Sequence, residues 1–116
     1  MEIQRLSVIT KDKYHRCQKY FQVLSALNDL GLTKSEINLM AFTAIHKDIT
    51  SSQNRKEFCE MYTTSTATIN NMVDRLKKKN LLHKEGKLIF VNPTLTKIPF
   101  DESYALVITI NKRKDE

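Results

Sequence analysis

Residues 65–79 read STATINNMVDRLKKK, and their polar side chains are of the kinds that read bases and hold phosphates. Asn70 and Asn71 carry amides that can form a two-pronged pair with adenine. Thr66 and Thr68 offer hydroxyls for phosphate and methyls for thymine, and Arg75 offers a guanidinium for guanine or phosphate. Ile69, Met72, Val73 and Leu76 recur every three or four residues, so on a helix they form a single apolar back. Thr66, Thr68, Asn70, Asn71 and Arg75 are left for the other side. Ser65 stands where an N-cap is wanted. Ser and Thr are poor helix formers, so their crowding at the start suggests a role in contact rather than in helix stability. Free amides at the same end suit a phosphate. Lys77, Lys78 and Lys79 follow, and Lys84 and Lys87 come a few residues later.

The charge map agrees with that reading. The chain of 116 residues carries a formal +6. Residues 65–91 hold six Lys/Arg against two Asp/Glu, residues 1–64 nine against seven, and residues 92–116 four against four. Most of the excess therefore sits in under a quarter of the chain, as a surface for a polyanion requires. The bland reading is that Thr and Asn cap and solvate the helix start, while the lysines suit the negative end of the helix dipole.

The elements that must position these residues are legible around them. One domain is expected, with a single core. Residues 1–13 read as an N-terminal arm or edge strand. From Tyr14 onward Cys17, Phe21, Leu24, Leu27 and Leu30 form a helical stripe, and Gly31 sits at a left-handed stop. Thr33 and Glu36 in "TKSE" form a capping box for a second helix with Ile37, Met40, Ala41, Ala44 and Ile45 inward. After the polar loop "HKDITSSQN", a short helix over about 54–62 offers Phe58, Cys59 and Tyr62 to the core, and "TTS" makes a tight turn into the helix of Thr66. Asn80 ends that helix, and Glu85-Gly86 reads as the two-residue turn of a hairpin. Pro93 and Pro99 bracket an irregular connector. "SYALVITI" then reads as a strand needing cover on both faces, which the N-terminal segment can supply within one chain, the favoured arrangement, or between two, and a charged tail follows.

This order, three helices with a tight turn before the last and a hairpin directly after it, is that of a winged helix-turn-helix. The expected class is mainly α with a small β-sheet (α+β), with an extra N-terminal helix and terminal strands. The domain is expected at 14–93, between an arm at 1–13 and a connector, C-terminal strand and charged tail at 94–116. The stretches "LTKSEINLMAFTAI", "NRKEFCEMYTTSTATINNMVDRLKKKNLL" and "KLIFVNP" resemble the winged-helix domains of MarR-type regulators over about residues 32–93. Ile69, Met72, Val73, Asp74, Arg75 and Leu76 match the pattern of that family's recognition helix. The resemblance implies that Thr66, Thr68, Asn70 and Asn71 face the groove. Asn71 stands where the family often has a basic residue, and Asn80 where it often has Gly. "IFVNP" is similar to winged-helix replication proteins of small plasmids and phages.

The expected partner is double-stranded DNA, contacted through Ser65, Thr66, Thr68, Asn70, Asn71, Arg75, Lys78, Lys79, Lys84 and Lys87. Alternatives are a phage or plasmid replication or DNA-packaging factor using the same module, and a protein–protein adaptor whose lysines only solubilise it. An enzyme is not expected: no Ser-His-Asp order, metal-ligand spacing or glycine-rich phosphate loop occurs, and the chain has two glycines. No cofactor is expected, and no effector pocket can be read from the chain. Cys17 and Cys59 read as small buried hydrophobes. Without a signal peptide or an apolar run of roughly 18 residues, the expectation is a cytoplasmic protein of a bacterial or phage-infected cell, with no membrane partner. Because a lone winged helix spans few base pairs, a homodimer built from the first long helix and the terminal strands is also expected.

Overall fold

A computed structural model describes residues 1–95, 97 and 100–116; Pro99 of the expected connector lies outside the described residues. Four helices come first, α1 (Lys13–Leu27), α2 (Lys34–His46), α3 (Ser52–Tyr62) and α4 (Thr66–Lys78), followed by strands β1 (Leu82–Glu85) and β2 (Leu88–Val91). This is a mainly α, α+β arrangement compatible with a winged helix.

The cap residues decide where the helices start. Asp12 accepts the His15 amide at 2.8 Å to open α1. Thr33 accepts the Glu36 amide at 3.1 Å while Glu36 accepts the Thr33 amide at 2.9 Å, so the expected capping box is present. Ser51 and Ser65 cap α3 and α4. The first helix ends earlier than its apolar stripe suggests. Asn28 directs both its backbone and side-chain N–H groups to the Leu24 carbonyl, and Asp29 takes a left-handed φ of 51°. Leu30 therefore packs against the core from a loop, and the left-handed Gly31 shapes that loop rather than the helix end.

α2 is the axis of the domain. Every residue from Glu36 to Ala44 is buried, so Leu39 and Phe42 join the expected inward set. An apolar stripe describes a helix with one wet side, and this one is enclosed all round. Cys17 and Phe21 of α1, Phe58 of α3, and Ile69, Met72, Val73 and Leu76 of α4 pack with it into one cluster. Burial of each large side chain contributes roughly 1.5–3 kcal/mol. Phe42 meets Phe58 edge-on with ring centroids 5.4 Å apart. Cys17 is fully buried and Cys59 half-buried, and both are free thiols; burial pushes the Cys17 thiol up to about 12.

The hairpin is antiparallel, with Leu82 opposite Val91 and Glu85 opposite Leu88. Its two-residue loop is consequently Gly86-Lys87, one residue later than the sequence suggests. Gly86 supplies the positive φ of 61° that the first loop position requires. Two strands alone are marginal in water. Here Asp48 and Ile49 of the α2–α3 loop secure them: the Ile49 amide donates to the Ile89 carbonyl at 3.0 Å, and the Ile89 amide donates to Asp48 at 3.1 Å.

The expected C-terminal strand is not formed, and of the arm and edge-strand readings of the N-terminal segment the strand is absent. Among the described residues neither the segment before α1 nor residues 103–110 forms a strand. Phe100 and Tyr104 dock on α1, with Phe100 against Tyr20 and the Tyr104 hydroxyl donating to the Arg16 carbonyl at 2.8 Å. From Ala105 onward the chain is exposed, as it is over residues 1–9. β-propensity reflects packing against a neighbouring strand, and among the described residues no strand lies beside either segment. No described helix is long and apolar enough to cross a membrane.

Candidate nucleic-acid interface

α4 lies with Ile69, Met72, Val73 and Leu76 at 0–3% exposure, so its back is hidden as the spacing requires. Ser65, Thr66, Thr68, Asn70, Asn71, Arg75, Lys78 and Lys79 are all exposed, as are Lys84 and Lys87 of the hairpin. The ten sequence-derived positions share one open surface only in part, because several are drawn to the body of the protein.

At 100° per residue, the line directly opposite the buried seam runs through Ala67, Asn71, Asp74 and Lys78. Asn70 and Thr66 turn to one flank of that line, Thr68 and Arg75 to the other. On the first flank Arg55 of α3 donates to Asn70 Oδ1 at 2.6 Å and to the Ile49 carbonyl at 2.9 Å. Asn70 is thereby held with its Nδ2 hydrogens free to donate and one lone pair of Oδ1 already used. Arg55 is absent from the sequence-derived set. It lies fifteen residues from its partner, a separation at which no periodicity signals contact.

On the second flank Arg75 does not stand free. Its Nε lies 3.2 Å from Oε2 of Glu36, a carboxylate whose side chain is 3% exposed. One carboxylate therefore closes the α2 capping box and clamps α4. Burial pushes the Glu36 carboxyl up, but the Thr33 amide, Arg75 and the Thr33 hydroxyl together bring it below its ordinary value. Half of the Arg75 side chain still faces water, at 54% exposure.

Lys79 is likewise engaged, donating to the Leu30 carbonyl at 2.7 Å and tying the end of α4 to the loop before α2. Lys77 pairs with Asp74 at 3.8 Å, which partly neutralises the acid on the outermost line. Ser65 is occupied as the cap, its hydroxyl also 3.1 Å from that of Thr68. The side chains of Thr66, Asn71, Lys78, Lys84 and Lys87 have no hydrogen-bond or ion-pair partner among the described residues. Asn80 takes the expected left-handed turn, φ 62°, and its carbonyl accepts from Asn92 at 2.9 Å. The start of the hairpin is thereby fixed to its end.

Asp48 completes the frame. Its carboxylate accepts from the Thr50 hydroxyl at 2.7 Å, the Ser51 amide at 3.2 Å and the Ile89 amide at 3.1 Å. Burial works against the charge, yet these donors hold the carboxyl below the usual range. It joins the loop before α3 to the hairpin beside α4, so α4 and the hairpin are held together. A shallow depression of about 540 Å³ opens between α3 and the start of α4, lined in part by Arg55, Lys56, Thr64 and Thr66. The surface thus combines amide and hydroxyl groups with free cations at the helix end and on the hairpin. Comparison with protein-family models, curated proteins and solved structures found no match to the chain.

Proposed function

We propose that the chain is a double-stranded DNA-binding protein, a winged helix-turn-helix of MarR-like kind acting as a transcription regulator. The observation that carries the reading is the two-sided character of α4. Its apolar seam is shut into the core, while Ala67, Asn71 and Lys78 point straight out and cations of the neighbouring hairpin stand unpaired. In this reading α4 enters the major groove by its N-terminal half. Asn71, and Asn70 held by Arg55, meet base edges, and Ala67 and the Thr66 methyl suit a thymine methyl. Lys78 takes a phosphate, and Lys84 and Lys87 meet the adjacent backbone. Arg75 and Lys79 have a different part: they brace α4 against α2 and its preceding loop, so the reading face is rigid before DNA arrives.

The test compares two substitutions. Asn70→Ala should reduce discrimination between preferred and altered duplexes by roughly 1–3 kcal/mol. Lys78→Ala should weaken all duplexes alike and lower the salt slope by about one. Equal losses on every sequence from both changes would show that no base is read.

A further inference from the structure

We propose that residues 101–113 form an antiparallel strand pair with the same residues of a second copy, centred on Val107. Most of the exposed large apolar side chains lie in the segment before α1 and in residues 106–110, against only Leu27, Met61 and Leu88 elsewhere among the described residues. Val107 is 92% and Ile110 93% exposed. The accessible surface is 8495 Å². A compact protein of this mass exposes about 6,500 Å². A stable interface takes about 800 Å² per partner, so the surplus is ample for one.

The occupant follows from the order of charges. Asp101 and Glu102 precede the apolar stretch, and Lys112, Arg113 and Lys114 follow it. Reversed and laid on itself about Val107, the segment places Glu102 opposite Lys112 and Asp101 opposite Arg113. Leu106 then faces Ile108, and Tyr104 faces Ile110. Directly opposed residues share a face of an antiparallel pair, so apolar meets apolar and acid meets base at both ends. A two-fold axis generates both ends from one surface, as an isologous dimer requires. Glu102 and Lys112 have no ion-pair partner among the described residues, whereas Asp101 is held by Lys13 at 3.0 Å and Arg113 by Asp115 at 2.8 Å. The root of the strand is fixed by the Tyr104 hydroxyl on α1, so the pairing carries two whole domains with it. The segment's strong β-propensity and its lack of a partner strand among the described residues are reconciled by a partner from another copy.

Sedimentation equilibrium without DNA tests this at tens of micromolar. The expected mass is twice 13.5 kDa. Glu102→Lys and Lys112→Glu should each weaken the dimer about tenfold or more, since each sets two like-charge pairs across the axis. The double swap should restore it, and so should mixing the two single variants. In a Cys59→Ser background Val107→Cys should form an intermolecular disulfide, because opposed Cα atoms lie about 4.5–5.5 Å apart. Ile110→Cys should not. Glu102, Val107, Ile110 and Lys112 lie outside the core and Cys59→Ser is nearly isosteric, so unchanged far-ultraviolet circular dichroism will confirm folding. A monomer at all these concentrations, or a dimer indifferent to the swap, would overturn the proposal.

Discussion

Glu36→Gln tests how α4 is held. The carboxylate accepts the Thr33 amide at 2.9 Å and Arg75 at 3.2 Å from a nearly dry position. Gln keeps an acceptor for Thr33 and loses the charge that Arg75 faces. A hydrogen bond to a charged group contributes about 1.5–3 kcal/mol, but the half-exposed guanidinium is screened and regains water when released. The expected loss at pH 7 is therefore about 1 kcal/mol. The sign of its pH dependence follows from the lowered carboxyl of Glu36. A carboxyl with a folded value below the unfolded one stabilises fully above the unfolded value, about 4.3, and stops doing so as pH falls through the folded value. Urea denaturation of both proteins at several pH values, followed by circular dichroism, should give a gap that is constant from pH 7 to about 5 and closes below 4.3. A gap unchanged down to pH 3, or none at pH 7, would refute the clamp.

Two further outcomes are expected. Arg55→Ala frees the Asn70 amide to rotate and leaves the Ile49 carbonyl without its donor, so it should relax sequence preference in duplex competition and cost about 1 kcal/mol in urea denaturation; unchanged preference would rule out the orienting role. Asp48→Ala leaves the Ile89 amide without its acceptor, which should cost about 1–3 kcal/mol in urea denaturation and speed hydrogen exchange at Ile89 beyond that at neighbouring amides.

Much of this arrangement was legible because it is local. The Thr33–Glu36 box, the Ser65 cap and the seam from Ile69 to Leu76 depend on residues three or four apart, and such contacts leave a pattern. The left-handed Asn80 follows from one residue's tolerance of that conformation. Long-range choices leave no such trace. Glu36 and Arg75 are thirty-nine residues apart, and Lys79 reaches back forty-nine to Leu30, so two side chains of the expected DNA-contact set also tie α4 to the rest of the fold. The turn falls at Gly86-Lys87 rather than Glu85-Gly86, a choice the sequence leaves open because either neighbour of Gly86 can complete a two-residue loop. Composition at 103–110 favours a strand, but pairing needs a neighbour, and none is found among the described residues.

In the proposed function the open side of α4 and the hairpin lysines grip a duplex. The most direct measurement is fluorescence-anisotropy binding of a mixed-sequence duplex across a salt series. Each phosphate neutralised releases counterions and contributes about −0.9 to the slope of log K against log salt. With Lys78, Lys84 and Lys87 as unpaired cations per copy, the expected slope is about −3 for one copy and about twice that for two. No binding at low salt, or binding indifferent to salt, would contradict it.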